Sequence, residues 1–149
     1  MYLRQTKYIK YILKKFNMET VYACPTSMVS GRLFTTKGEP MTNATLYRKA
    51  IGALQYLTNT RSYIVFAANK LNQFMSTPTM DYWLGIKTIL RYLQGIMNLC
   101  FHIKPSNDLD IMGYSDADWV TCTNDRKFMT GQCLFLGETL IYGLQENKR

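Results

Sequence analysis

The chain has 149 residues, of which 47% are apolar and 13% aromatic. That is room for one ordinary domain or pieces of two, with enough apolar surface to exclude global disorder. Net charge is +8 but unevenly placed: residues 1–104 hold 14 Lys/Arg and 3 Asp/Glu, whereas residues 105–149 hold 4 and 7. A basic body followed by an acidic end fits a phosphate-binding surface followed by a carboxylate-bearing site, and equally a solvated, soluble surface.

Apolar runs are short, as at residues 63–68, and the stretch after Met1 is Lys-rich rather than an apolar leader. A bilayer span needs about 20 apolar residues. Neither a membrane segment nor a signal peptide is expected, and the chain reads as intracellular. The cysteines Cys24, Cys100, Cys122 and Cys133 form no CxxC pair, and the one histidine, His102, stands alone beside Cys100. This spacing speaks against a structural zinc site and against a disulfide framework, leaving free thiols as the expectation.

In chain order, residues 3–16 read as a helix, with Ile9, Ile12, Leu13 and Phe16 on one stripe and Lys7, Lys10, Lys14 and Lys15 mostly off it. Residues 20–45, broken by Pro25, Gly31, Gly38 and Pro40, read as a long connector. Three helices follow. The first spans about 45–58, with Leu46, Ala50, Ile51, Leu54 and Leu57 on one face and Asn43 or Thr45 placed to cap it. The second spans about 62–75, through Ile64, Ala67, Ala68 and Leu71, and stops before Pro78. The third spans about 79–95, through Trp83, Ile86, Ile89, Leu90 and Leu93, with Gly95 as its stop.

After residue 97 the period changes to two. Leu99, Phe101 and Ile103 alternate with polar neighbours, as do Ile111, Gly113 and Ser115, and residues 131–136 and 139–142 are short and β-like. Turn signals separate them at Ser106-Asn107-Asp108, Thr123-Asn124-Asp125 and Gly137-Glu138. Consecutive antiparallel strands are expected, so the fold class is α+β.

Gly113-Tyr114-Ser115-Asp116-Ala117-Asp118-Trp119 is the segment with chemical potential. A strand holds a carboxylate rigidly, and small neighbours let a phosphate backbone approach. Asp116 and Asp118 at i and i+2 point to one face. Phosphodiester hydrolysis by paired Mg²⁺ requires several carboxylates converging on metals about 4 Å apart, and two are rarely sufficient. A strand-end Asp that caps a turn is the commoner case.

These residues resemble copia-type retrotransposon Pol polyproteins. The Tyr114–Trp119 run is followed by Asp125-Arg126-Lys127, Thr130-Gly131 and Phe135-Leu136-Gly137 in the family's order. Upstream, Leu46-Tyr47-Arg48, Ile51-Gly52-Ala53-Leu54, Tyr56-Leu57 and Thr60-Arg61 look like the family's Tyr-Arg…Gly-Ser-Leu-x-Tyr-Leu…Thr-Arg-Pro segment. Phe74-Met75-Ser76-x-Pro78, Trp83, Lys87 and Ile89-Leu90-Arg91-Tyr92-Leu93-x-Gly95 continue it, and Gln5-x-Lys7-Tyr8 with Leu13-Lys14-Lys15-Phe16-x-Met18 opens it. Departures are Tyr63 at a usual Pro, Phe128 and Met129 at a favoured Ser and Thr, and Tyr142-Gly143-Leu144 at an expected Ser-Trp-x.

The resemblance covers nearly the whole chain. It implies a fragment of an RNA-directed DNA polymerase with ribonuclease H: residues 1–104 as the reverse transcriptase thumb and connection, residues 105–149 as the opening antiparallel strands of an incomplete RNase H-like fold. It implies that Asp116 is a metal-binding catalytic carboxylate, with Mg²⁺ as the cofactor of the full-length enzyme and none held stably by this piece. The polymerase palm, with its Tyr-x-Asp-Asp strand, and the later RNase H carboxylates are not in the chain, so it is expected to be inactive alone. Its partners would be an RNA–DNA hybrid or template–primer and the remainder of the Pol polyprotein, with no membrane. Candidate phosphate contacts are Lys7, Lys10, Lys14, Lys15, Arg48, Lys49 and Arg61. The alternative is a non-catalytic basic module that binds nucleic acid or docks on another protein.

Overall fold

Helical-period stripes become helices among the described residues: α1 (Thr6–Lys15), α2 (Ala44–Thr58), α3 (Val65–Asn72) and α4 (Met80–Gly95). The structure is a computed structural model, and it describes residues 2–28, 38–103, 110–118 and 128–148. Two compact units result, one of Arg4–Cys100 and one of Phe101–Arg149 with Met1–Leu3. The division thus falls at Cys100/Phe101 rather than at the expected 104/105, and the first residues go with the strands, because β1 (Tyr2–Leu3) pairs antiparallel with β2 (Phe101–His102). For the same reason the first helix starts at Thr6 and not at residue 3: Leu3 is taken by the ladder.

In the helical unit the stripes interlock into one core. Ile9, Ile12 and Leu13 of α1, Tyr47, Ile51, Leu54 and Leu57 of α2, Leu71 of α3, and Ile86, Ile89, Leu90 and Leu93 of α4 are each no more than 1% exposed. Burying each such side chain is worth roughly 1.5–3 kcal/mol, so this core dominates the unit's stability. Aromatic rings key the helices together: Phe16 meets Trp83 edge-on at 6.2 Å, and Phe74 stacks on Tyr82 at 4.1 Å. The buried Tyr47 hydroxyl donates to the Leu71 carbonyl at 2.7 Å, tying α2 to α3.

The helix ends follow local rules with two corrections. Asn43 caps α2 by accepting from the Leu46 N–H at 2.9 Å. Helix α1 closes on Asn17, which takes a left-handed φ of 55°, while the Met18 N–H donates to Leu13 and the Asn17 N–H to Lys14. The helix expected over 62–75 is shorter: Ser62–Ile64 is a 3₁₀ turn and α3 ends at Asn72, where i→i−3 bonds from Phe74 to Leu71 and from Met75 to Asn72 tighten the chain before Pro78. Gly95 does not stop α4 by a left-handed turn; it is the last helical residue, and its missing Cβ leaves room for Ala23, whose Cβ would stand 3.1 Å away.

Of the long connector, residues 29–37 lie outside the described residues. Its two flanks are held along α4. Arg91 donates to the Tyr22 carbonyl at 2.9 Å and Gln94 to Glu19 at 3.1 Å, and Met41 donates to Pro78 and Met80 to Glu39, each at 2.9 Å.

In the strand unit, β3 (Ile111–Asp118), β4 (Phe128–Leu136) and β5 (Thr139–Lys148) form an antiparallel meander in chain order. Gly137 takes a φ of 55° in the two-residue β4–β5 turn, a conformation only glycine adopts without strain there, and its N–H donates to the Asp110 carbonyl at 2.9 Å. The strands run longer than the expected 131–136 and 139–142. The alternation around Leu99–Ile103 does not begin this meander: residues 101–102 pair with β1 instead, where the Tyr2 and His102 rings stack at 4.3 Å. The expected turns at 106–108 and 123–125, and Cys122, lie outside the described residues. With helices in one unit and an antiparallel sheet in the other, the described residues make an α+β chain.

Candidate nucleic-acid interface

Helix α1 turns Ile9, Ile12 and Leu13 to the core, half-buries Thr6 and Tyr8 beside them, and presents its other side chains to solvent. Lys7, Lys10, Lys14 and Lys15 are exposed, and the helix carries no acidic residue. Successive residues four apart share a stripe, so Lys7, Tyr11 and Lys15 line one exposed ridge and Lys10 with Lys14 another. Lys14 and Lys15 also sit in the last turn, where the helix dipole favours cations. On α2, Arg48 and Lys49 are exposed, and Arg48 Nε donates to the Met75 carbonyl at 3.2 Å, which steadies the side chain without burying it.

Arg61 is a correction. It is 1% exposed, and its guanidinium donates to the Tyr63 hydroxyl at 2.7 Å, to the Leu99 carbonyl at 2.6 Å and, weakly, to the Met97 carbonyl at 3.5 Å. These bonds join the turn after α2 to the segment after α4. A guanidinium so enclosed has no face for a phosphate, and its role is to hold the helical unit together.

Sequence reasoning missed the rings between the lysines. Tyr8 stacks against Tyr11, with centroids 6.1 Å apart, and meets Tyr56 of α2 edge-on at 4.8 Å. Lys15 Nζ lies 5.5 Å from the Tyr11 ring centre. Tyr11 and Tyr56 are 56% and 55% exposed. Burial of Tyr8, with smaller contributions from Tyr56 and Tyr11, raises its hydroxyl pKa. One turn before Tyr56, Gly52 is exposed in mid-helix, and a Cβ there would meet nothing within 4 Å. Packing in this chain does not require that glycine. The alternation Lys7-Tyr8 and Lys10-Tyr11 was the available sequence signal.

In the strand unit Asp116 is exposed on β3, opposite Gly131 of β4. Its cross-strand neighbour therefore has no side chain, and the carboxylate stands clear on a rigid ladder. The Asp118 backbone stands opposite Met129, also on the ladder. Paired Mg²⁺ ions need several converging carboxylates. Among the described residues no three His, Cys, Asp or Glu side chains gather around a point. No helix among the described residues is long and apolar enough to cross a membrane.

With the fold and these surfaces in view, comparison with known proteins supplies the class: along nearly its whole length the chain corresponds to a fragment of the retrovirus-related Pol polyproteins of transposons. It is 39% identical over 138 residues, 92% of its length, to the Pol polyprotein from transposon RE1 of Arabidopsis thaliana, and 37% identical over 138 residues to that from transposon RE2 of the same plant. It spans only 9% and 10% of those relatives' lengths. An uncharacterized mitochondrial protein of Arabidopsis thaliana is 33% identical over 141 residues, of which the chain covers 59%. No family model and no solved structure matches the chain.

Proposed function

We propose that the chain is a nucleic-acid-handling piece of a copia-type Pol polyprotein. Its helical unit acts as the thumb and connection of the reverse transcriptase, and its strands open an RNase H-like domain. The observation that carries this is the likeness to transposon Pol polyproteins over 92% of the chain, joined to exposed basic residues on α1 and on α2. Lys7, Lys10, Lys14, Lys15, Arg48 and Lys49 are accessible for phosphates of an RNA–DNA hybrid or template–primer, while Arg61 is set aside by its burial. In the longer protein Asp116 would hold Mg²⁺ together with carboxylates from elsewhere in the polyprotein, and the ion would support attack of water on the RNA strand. Alone, this chain is a binding piece and not a nuclease.

The test is binding of the purified chain to a fluorescent RNA–DNA hybrid across a salt series. Affinity should fall steeply as salt rises, because neutralised phosphates release counterions. Salt-independent binding, or none in dilute salt, would remove the reading. Cleavage of the hybrid in Mg²⁺ that disappears in Asp116→Asn would overturn the claim that the chain alone is inactive.

A second role is favoured by the sheet. Ile111, Met112, Tyr114, Leu134 and Ile141 are between 37% and 69% exposed. An apolar sheet left this open is a surface for docking, and the remainder of the Pol polyprotein is the partner we propose for it.

A further inference from the structure

The aromatic cluster on α1 and α2 is only partly used by the core: Tyr8 packs against it, whereas Tyr11 and Tyr56 face solvent. Tyr8, Tyr11 and Tyr56 form a connected set of rings, two of them more than half exposed, and Tyr8 and Tyr11 alternate with the lysines of a helix with no acidic residue. A surface evolved only to be wet is served by Lys and Glu. A surface that grips duplex phosphates can use a phenol hydroxyl but not the face of its ring, since the bases of a duplex are stacked on each other. Exposed rings interleaved with cations match a different ligand: an unpaired strand, whose bases have free π-faces and whose backbone has phosphates at regular spacing.

We propose that Tyr11, backed by Tyr8 and Tyr56 and flanked by Lys7 and Lys15, is a stacking platform for a single-stranded stretch of nucleic acid. This rests on the nucleic-acid reading above and narrows it to the unpaired part of the substrate. Lys15 now lies over the Tyr11 ring. A base arriving on that ring displaces the ammonium toward a neighbouring phosphate, so one residue shields the empty platform and grips the filled one. Lys7, one turn before Tyr11 on the same ridge, supplies a second phosphate contact along the strand. Tyr8, half-buried and braced against Tyr56, keeps the Tyr11 ring from folding down onto the helix. Because every base has a π-face, recognition is of strandedness and not of sequence.

The experiment uses the full chain and two fluorescent probes, a short oligothymidine and a blunt RNA–DNA hybrid, with anisotropy read at the same salt. Variants are Tyr11→Leu, which keeps bulk and helix propensity without a π-face, and Tyr11→Phe, which keeps the ring. The expected result is that Tyr11→Leu weakens oligothymidine binding about tenfold, changes hybrid binding less than twofold, and Tyr11→Phe retains the parent's affinity for both. Oligothymidine affinity unchanged in Tyr11→Leu, or an equal loss on both probes, overturns the platform. A parent chain that binds hybrid but not oligothymidine also overturns it and leaves the broader reading standing. A parent chain that binds neither probe overturns both. Tyr11 lies outside the core, and an unchanged circular dichroism spectrum of each variant shows that a loss is not unfolding.

Discussion

The helical and strand units are built from similarly apolar sequence but bury it very differently. Among the described residues, every member of the buried hydrophobic core lies between Ile9 and Leu93. In the meander, Thr139 is the buried side chain among those described, and all of Ile111–Asp116 is exposed. Four amphipathic helices can turn their stripes on one another and finish a core within about a hundred residues. A three-stranded sheet has two faces and can cover neither by itself. The helical unit buries its stripes within itself, whereas the described sheet leaves apolar side chains exposed.

The contrast is broken or sharpened by substitution, starting with the largest effect. Leu54→Ala in the helical core should cost about 2–5 kcal/mol in urea unfolding, whereas Leu134→Ala on the open sheet should stay within about 0.5 kcal/mol. Comparable losses at both sites would show that the sheet is as well packed as the helices, and the contrast would fall. Next, Arg61→Met removes the donors held by the Leu99 and Met97 carbonyls and should cost about 1–3 kcal/mol, with faster amide exchange after α4. Unchanged stability, with weakened hybrid binding, would return Arg61 to the phosphate contacts.

Tyr47→Phe should cost about 1 kcal/mol by deleting one buried hydrogen bond. It also carries a pH signature. Burial, with a smaller contribution from Tyr82, pushes the Tyr47 hydroxyl well above its ordinary range. Its stabilisation is then complete below about pH 10, where the unfolded tyrosine begins to ionise, and is lost as pH climbs further. The parent should lose stability more steeply than Tyr47→Phe on that alkaline limb, and parallel limbs would contradict the assignment. Smallest, Gly52→Ala should stabilise α2 by up to about 1 kcal/mol, because nothing occupies the space its Cβ would enter. If it stabilises the fold yet weakens hybrid binding, the bare backbone at Gly52 belongs to the interface; if it destabilises, the packing described around α2 is wrong.

The helices were legible because their periods are strong: Ile9-Ile12-Leu13-Phe16 and Ile86-Ile89-Leu90-Leu93 can be satisfied only by one-sided burial. The Asn43 cap and the Gly137 turn were legible because each is local chemistry. Arg61 was misjudged because a basic residue in a basic region looks alike whether it faces water or carbonyls; only the return of residues 97–99 to the end of α2 buries it. The Tyr8–Tyr11 pair was readable from the Lys-Tyr alternation on α1, but Tyr56 lies 45 residues or more further on, and its contact with Tyr8 depends on how α1 packs beside α2. The pairing of residues 2–3 with 101–102 was invisible for the same reason: a two-residue strand has no period to read.

The amino-acid order alone determined the α+β class, the helical stripes, the kinship with transposon Pol polyproteins and the strand-borne position of Asp116, because each is written in nearest neighbours or in ordered motifs along the chain. The tertiary structure decided which cations remain free, which rings meet, and that the core is complete on the helical side and open on the sheet. Those are properties of residues distant in sequence, and only packing brings them together or leaves them apart.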